Sequence, residues 1–335
     1  MLTYRCNLHC PYCFANEFVN KSKTDISVDN FIKAVKFITK NKPLHIGLIG
    51  GEPTLHSEFK EICEYIVTDE NVVDVTLYTN GLLLDKYVEQ LLNSKFHMLI
   101  NCNSPKDIGE ENYNHIIRNM DLLINEKGMK DRINLGINLY DTNMDYSFIM
   151  EILKRYNYHR LRISVTVPDF STTGDVDVLQ YFREKKEFLM KFFADMDSIQ
   201  VVPFFDCNKP PHCIWDEDEK KWIEEYLHKY PVSETNLIGY NSQCFPVIDI
   251  LPNLQAVRCF GMSDFEKVNI MDFECIADVA SYFVNKIDSN VYKIAPCGDC
   301  KDCYDRKVRH CATGCIGFKE KKIRQCNAYI EQLNF

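Results

Sequence analysis

Three cysteines near the start of the chain, Cys6, Cys10 and Cys13, stand with three and then two residues between them. Thiolates so spaced can hold an iron-sulfur cubane, and three of them leave one iron without a protein ligand. An open iron can take a substrate or cofactor, whereas a structural site is normally closed by a fourth ligand. Tyr12 precedes the last cysteine, and His9 is the candidate fourth ligand if the group is instead a structural zinc site. A second grouping, Gly50-Gly51-Glu52-Pro53, ends the apolar run Leu44 to Ile49. Its glycines let backbone come close to a ligand, and Glu52 offers an acceptor for an ammonium group.

The chain has 16 cysteines in 335 residues. Eight fall late: Cys244, Cys259, Cys297, Cys300, Cys303, Cys311, Cys315 and Cys326. Pairs two or three residues apart, in a chain with no export signal, point to iron or zinc thiolate sites and away from disulfides. Cys63 on an apolar helical face, Cys102 beside a strand and Cys275 on a late helix read as small core residues. Cys207 and Cys213 lie in a polar, proline-rich connection and are open to either role.

The elements that must position these groups alternate. Strands are expected near residues 3, 46, 75, 99, 136, 164 and 200, separated by helical segments such as the one Ser27 would cap. Ser57 is expected to cap the next helix. That rhythm implies βα units and a mainly parallel sheet. The fold class is α/β, a partial (β/α)6 TIM-like barrel with a small metal-stapled C-terminal α+β domain. Polar groups at the strand ends, Thr79, Asn80 and Gly81, then Asn101, Asn103 and Ser104, then Asn138, Arg162 and Thr166, are candidate ligand contacts. After Pro203 the rhythm changes to a loop, a helix over 217–228, a hairpin over 247–257 and a helix over 272–284. Domain boundaries are therefore expected at 1–203, 204–243 and 244–335. From Cys297 onward apolar content is too sparse for an independent core, so metal ligation would have to replace it.

A formal charge of -9 excludes nucleic-acid binding that rests on phosphate neutralisation. The basic stretch Lys319, Lys321, Lys322 and Arg324 reads as a solvated face or a docking patch for an acidic peptide. No apolar run is long enough to span a membrane, and a cytoplasmic location is expected.

The Cys6-Cys10-Cys13 spacing resembles the signature of the radical S-adenosylmethionine (SAM) superfamily. The resemblance implies a [4Fe-4S] cluster whose free iron is chelated by SAM, and cleavage of the sulfonium to methionine and a 5'-deoxyadenosyl radical. It further implies that Glu52 and its Gly-Gly-Glu-Pro neighbours meet the methionyl amine, with Thr79, Asn80, Asn101, Asn103, Ser104, Asn138 and Arg162 as further cofactor contacts. The late cysteines resemble the SPASM auxiliary-cluster domain, which would bring the total to three [4Fe-4S] clusters. In that pattern Cys244, Cys259 and Cys315 serve the nearer auxiliary cluster, and Cys300, Cys303, Cys311 and Cys326 the farther one. Departures from the pattern are Leu254 in place of a glycine, a longer gap between Cys303 and Cys311, and Cys297 as an additional thiol. The nearer cluster lacks an evident fourth ligand; it is either open or recruits Cys207, Cys213 or Cys297.

What this implies for activity is hydrogen abstraction from a peptide or protein residue, then oxidative formation of a thioether, ether or carbon-carbon bond on a ribosomally made peptide. Sulfatase maturation is an alternative, with Asp206 and Asp249 as candidate bases, and peptide epimerisation is another, with Cys207 or Cys213 as hydrogen donor. An external one-electron reductant such as flavodoxin or ferredoxin is implied. Because the first motif begins at Cys6, peptide recognition is expected to fall to a separate protein or to the barrel and basic C-terminal region.

Overall fold

Short apolar runs separated by amphipathic helices form a parallel sheet because each strand is returned to the same direction by the helix that follows it. A computed structural model describes residues 1–13, 15, 19–22, 24–167, 177–230, 236–295 and 298–325, with side chains as far as residue 320. Strands β1 (Leu44–Leu48), β2 (Val72–Thr79), β3 (Phe96–Asn101), β4 (Ile133–Leu139), β5 (Arg160–Val165) and β6 (Val202–Cys207) make one six-stranded sheet in that order. Order along the chain equals order across the sheet, so every crossover steps one strand the same way. That is the winding of a barrel and not of a doubly wound sheet. The helix Phe59–Thr68 buries Phe59, Ile62, Cys63 and Ile66. Val75, Leu77, Met98 and Ile100 of β2 and β3 are fully buried.

Four expectations shift. Leu2 to Arg5 forms only a bridge at Thr3 with Asp25, yet its backbone runs beside the end of β1 through Leu2 N to Ile49 O (2.7 Å), Gly51 N to Thr3 O (2.9 Å) and Glu52 N to Arg5 O (2.7 Å). The last strand begins at Val202, not Ser198, because the helix Val178–Ser198 runs on until Gln200 turns the chain at φ 59°. Pro203 does not end the repeat; it sits in β6, last in the sheet order, where a missing N–H is tolerated. Ser57, expected as a helix cap, instead turns its N–H and hydroxyl to Asp25.

Beyond the barrel strands, β7 (Asp249–Ile250), β8 (Gln255–Val257) and β9 (Val268–Asn269) form a small antiparallel sheet. Its first turn explains Leu254: the residue stands at φ 65°, the left-handed region a glycine would favour, with Leu254 N bonded to Leu251 O (2.9 Å). The described chain packs as two compact units, Met1–Ile137 with Val247–Ser281, and Asn138–Pro246 with Tyr282–Phe335. Cys63, Cys102 and Cys275 are buried. Lys319 is not on a solvated face; it is buried in the helix Ile316–Gln325, with its ammonium 5.9 Å from the Tyr292 ring centroid. The side chains of Lys321, Lys322 and Arg324 lie outside the described set. Among the described residues no helix is long and apolar enough to cross a membrane.

Candidate active site

Within the first unit the segment carrying Cys6, Cys10 and Cys13 is held at both ends. Cys6 N donates to Asn20 Oδ1 (2.9 Å), and Asn20 Nδ2 returns a bond to Cys6 O (3.1 Å). Upstream, Arg5 Nε donates to Asp25 Oδ1 (3.0 Å), as does the Thr3 hydroxyl (2.6 Å). Burial works against the Asp25 carboxylate, but Arg5, Thr3 and the Ser57 N–H outweigh it and bring Asp25 down to about 2. No sequence signal marked Asp25; it acts on Cys6 only through Arg5 and Thr3.

At the other side, Tyr12 bonds through its hydroxyl to Asn103, and Asn101 Nδ2 donates to the same hydroxyl (2.8 Å). The Cys10 thiol reaches Asn103 Oδ1 at 3.4 Å. Asn101 and Asn103 thus tie the cysteine loop to the end of β3. Ser104, by contrast, caps the short turn Pro105–Ile108, accepting from Asp107 N at 3.2 Å.

Glu52 is buried, and its carboxylate is built into the end of β2. Oε1 accepts from Thr54 Oγ1 (2.6 Å), Thr79 Oγ1 (2.8 Å) and Thr54 N (3.2 Å), while Oε2 accepts from Asn80 N (2.7 Å). A carboxylate has about four acceptor positions across its two oxygens, so Oε2 is the side with capacity to spare. Burial pushes Glu52 up despite these donors. Asn80 Nδ2 in turn donates to Asn7 Oδ1 (2.8 Å), joining the Glu52 cluster to the first cysteine loop. Pro53 opens the single turn after Glu52. The two glycines have a clear steric cause: a Cβ on Gly51 would lie 2.3 Å from Arg5 O, and one on Gly50 2.9 Å from Thr3 O. The backbone they admit is the chain's own first segment.

All three thiols are pushed above their usual range by burial, Cys10 to about 12 with Cys6 and Cys13 adding to it. Without positive charge beside them they are neutral, and ligation requires thiolates. Among the described residues no three His, Cys, Asp or Glu side chains converge as a single-ion site. A cubane takes its thiolates on separate irons, so its ligands need not converge on one point, and Cys10 lies near enough to Cys6 and Cys13 to be raised by both.

In the second unit, Asn138 Oδ1 accepts from Arg162 Nη1 (2.9 Å) and Ser164 Oγ (2.6 Å), and Arg162 Nε pairs with Asp206 Oδ2 at 2.6 Å. The pairing commits Asp206 to Arg162. Asp249, in the first unit, accepts from Phe260 N (2.9 Å), and burial raises it to about 6.

The late cysteines of the second unit sit in a loop-rich frame. Cys300 O and three further carbonyls, of Tyr292, Lys293 and Lys301, receive the buried Arg306 guanidinium at 2.7–3.3 Å. Cys311 Sγ accepts from Thr313 N (3.2 Å) and Ser242 Oγ (3.7 Å), and Cys244 N donates to the Tyr292 hydroxyl (3.0 Å). Cys213 is solvent-accessible, yet surrounding protein still desolvates it and, with Cys311 and Cys303 nearby, lifts its thiol to about 11. Sequence reasoning did not place Cys213 beside Cys303 and Cys311. Cys259 belongs to the first unit. Cys297 and Cys326 lie outside the described residues.

The family model of the Radical SAM superfamily matches residues 1–144. A probable GTP 3',8-cyclase of Methanococcus maripaludis (strain C5) is 32% identical over 136 residues, 41% of this chain and 45% of its own length. GTP 3',8-cyclase of Lactiplantibacillus plantarum is 33% identical over 92 residues, 27% of this chain and 28% of its own. The chain thus spans less than half the length of these two relatives. Streptococcus suis SuiB bound to S-adenosylmethionine superposes with a TM-score of 0.53 at 16% identity, over 84% of this chain and 63% of that one, a likeness of fold alone. Matched domain, barrel winding and three-thiol loop agree: residues 1–144 carry a radical SAM domain, and that domain and fold are those of a radical SAM-type enzyme.

Proposed function

We propose that the enzyme modifies a ribosomally made peptide or protein, abstracting a hydrogen atom from one residue and closing an oxidative thioether, ether or carbon-carbon cross-link. When bound, SAM and the cluster supply a 5'-deoxyadenosyl radical. The protein's part is placement and exclusion of water, because a primary carbon radical reacts with whatever is close. Cys6, Cys10 and Cys13 would hold the catalytic cluster, and Glu52 Oε2, presented by Thr54, Thr79 and Asn80, would take the methionyl ammonium. Gly50, Gly51 and Pro53 shape that corner, while Tyr12, Asn101 and Asn103 fix the loop.

The observation that carries the peptide reading is the second cysteine set, Cys244 through Cys326, arranged as in SPASM-type enzymes. Auxiliary clusters there would accept the electron released as the cross-link closes, with an external one-electron reductant serving the catalytic cluster. In a cross-link one hydrogen leaves as 5'-deoxyadenosine and the second as a proton and an electron, so the product is two hydrogens lighter. Anaerobic incubation with SAM, reductant and the peptide encoded beside this gene, followed by mass spectrometry, tests it. Efficient SAM cleavage beside unchanged peptide would remove that pairing. Deuterium uptake at an α-carbon without net mass loss would indicate epimerisation, and an aldehyde on a sulfatase peptide would indicate maturation.

Similarity to GTP 3',8-cyclases makes nucleotide cyclisation the second reading. GTP belongs in the same assay, and its SAM-dependent consumption with the peptide untouched would favour that reading.

A further inference from the structure

We infer that Cys207 ligates the same iron-sulfur cluster as Cys315, supplying a thiolate that the late cysteines alone do not. The inference rests on the proposal of auxiliary clusters and assigns a residue within it. Cys207 ends β6 at a break in register: Ile163 pairs with Phe205, but Ser164 pairs with Cys207, so Asp206 is the extra residue. A bulge of this kind re-aims the side chain after it. Arg162 holds the extra residue through Asp206.

The next residue fixes where Cys207 is carried. Asn208 is buried, stands at φ 48°, donates from Nδ2 to Val165 O (2.6 Å) and accepts at Oδ1 from Cys315 N (3.1 Å). One side chain thereby bolts the end of β5 to a backbone 107 residues away from it. Gly314 permits this approach: it stands at φ 82°, and a Cβ there would lie 2.8 Å from Phe182 Cε2 and 3.4 Å from Asn208 Oδ1.

In consequence Cys207, next in the chain to Asn208, is brought beside Cys315. Cys315 is buried at the head of the helix Ile316–Gln325. Cys207 is exposed, so the pair is reachable during cluster assembly.

The test uses full-length protein carrying Cys6, Cys10 and Cys13→Ala, so that only auxiliary clusters remain. Iron and sulfide are counted after anaerobic reconstitution, and reduced-state EPR is recorded with and without cyanide. Adding Cys315→Ala should remove about half of the remaining iron, one of two cubanes. Adding Cys207→Ala should leave one cluster with an open iron, so that its signal shifts with cyanide where the parent's does not. Cys207→Ser should keep the iron and show an oxygen-ligated signal without cyanide. An unaltered, cyanide-insensitive signal in Cys207→Ala overturns the inference, as does a Cys207–Cys315 disulfide in the reduced, reconstituted protein. Full iron retention in Cys315→Ala would instead overturn the auxiliary-cluster reading beneath it.

Discussion

Replacing Gly51 by alanine should dislodge the first cysteine loop. The added Cβ would meet Arg5 O at 2.3 Å, Arg5 C at 2.7 Å and Cys6 Cβ at 3.1 Å, and two of these atoms are backbone. Relief requires the segment Thr3 to Cys6 to retreat from the strand end. That retreat breaks Glu52 N to Arg5 O (2.7 Å) and Gly51 N to Thr3 O (2.9 Å). Each backbone bond contributes roughly 1 kcal/mol, and overpacking adds roughly 1–3, so a loss of about 3–5 kcal/mol is expected. Cys6 moves with the segment, so the catalytic cluster should be lost along with the stability, a fall of about a third in iron for a three-cubane protein. Urea unfolding by circular dichroism reads the first quantity and anaerobic iron analysis the second. A Gly51→Ala protein within about 0.5 kcal/mol of the parent and with full iron would show that the close approach does not hold Cys6.

Asp25→Asn removes the charge that Arg5 and Thr3 share, and should cost about 2 kcal/mol. Because the folded Asp25 sits at about 2, below its unfolded value, its contribution is complete above roughly pH 4 and fades as the pH falls toward 2. The parent-minus-variant difference in urea midpoint should therefore shrink over that range, and a difference constant with pH would refute the assignment. Arg306→Met strands four carbonyls around Cys300 and should cost about 3 kcal/mol and auxiliary iron, with the iron at Cys6, Cys10 and Cys13 kept. Arg306→Lys should restore only part, since an ammonium lacks the planar fork. Equal iron in Arg306→Met and parent would count against Arg306 as the frame of that loop. Leu254→Gly relieves a left-handed leucine worth about 1 kcal/mol but gives up a buried side chain worth about 2–3. It should destabilise the small sheet by about 1–2 kcal/mol on balance, and a stabilised variant would show that the backbone term dominates.

The winding of the barrel was legible because helix and strand periods alternate along the sequence, and the three-cysteine loop because its spacing is local. What escaped was set by contacts across long separations. Pro203 reads as the point after which the rhythm changes, yet it lies inside the last strand, whose place at the end of the sheet order removes the need for its N–H. Ser57 reads as a helix cap until Asp25, far earlier in the chain, claims its N–H and hydroxyl. Leu254 reads as a departure from a glycine pattern, although its backbone keeps the glycine's conformation and its side chain is buried as compensation.

The same contrast separates the two cysteine sets. Around Cys6, Cys10 and Cys13 a buried carboxylate and three half-buried thiols occur together, and each is pushed toward its neutral form. Polar fastening by Asn20, Asn101, Asn103 and Asn80 holds these groups in place. Around Cys300 to Cys315 the fastening is different: Arg306 and Asn208 fill carbonyl and N–H demands that a larger apolar core would have left to regular structure. Buried polar hubs of this sort fix loop geometry through hydrogen bonds, so metal ligation there would add stability to a frame that Arg306 and Asn208 already hold.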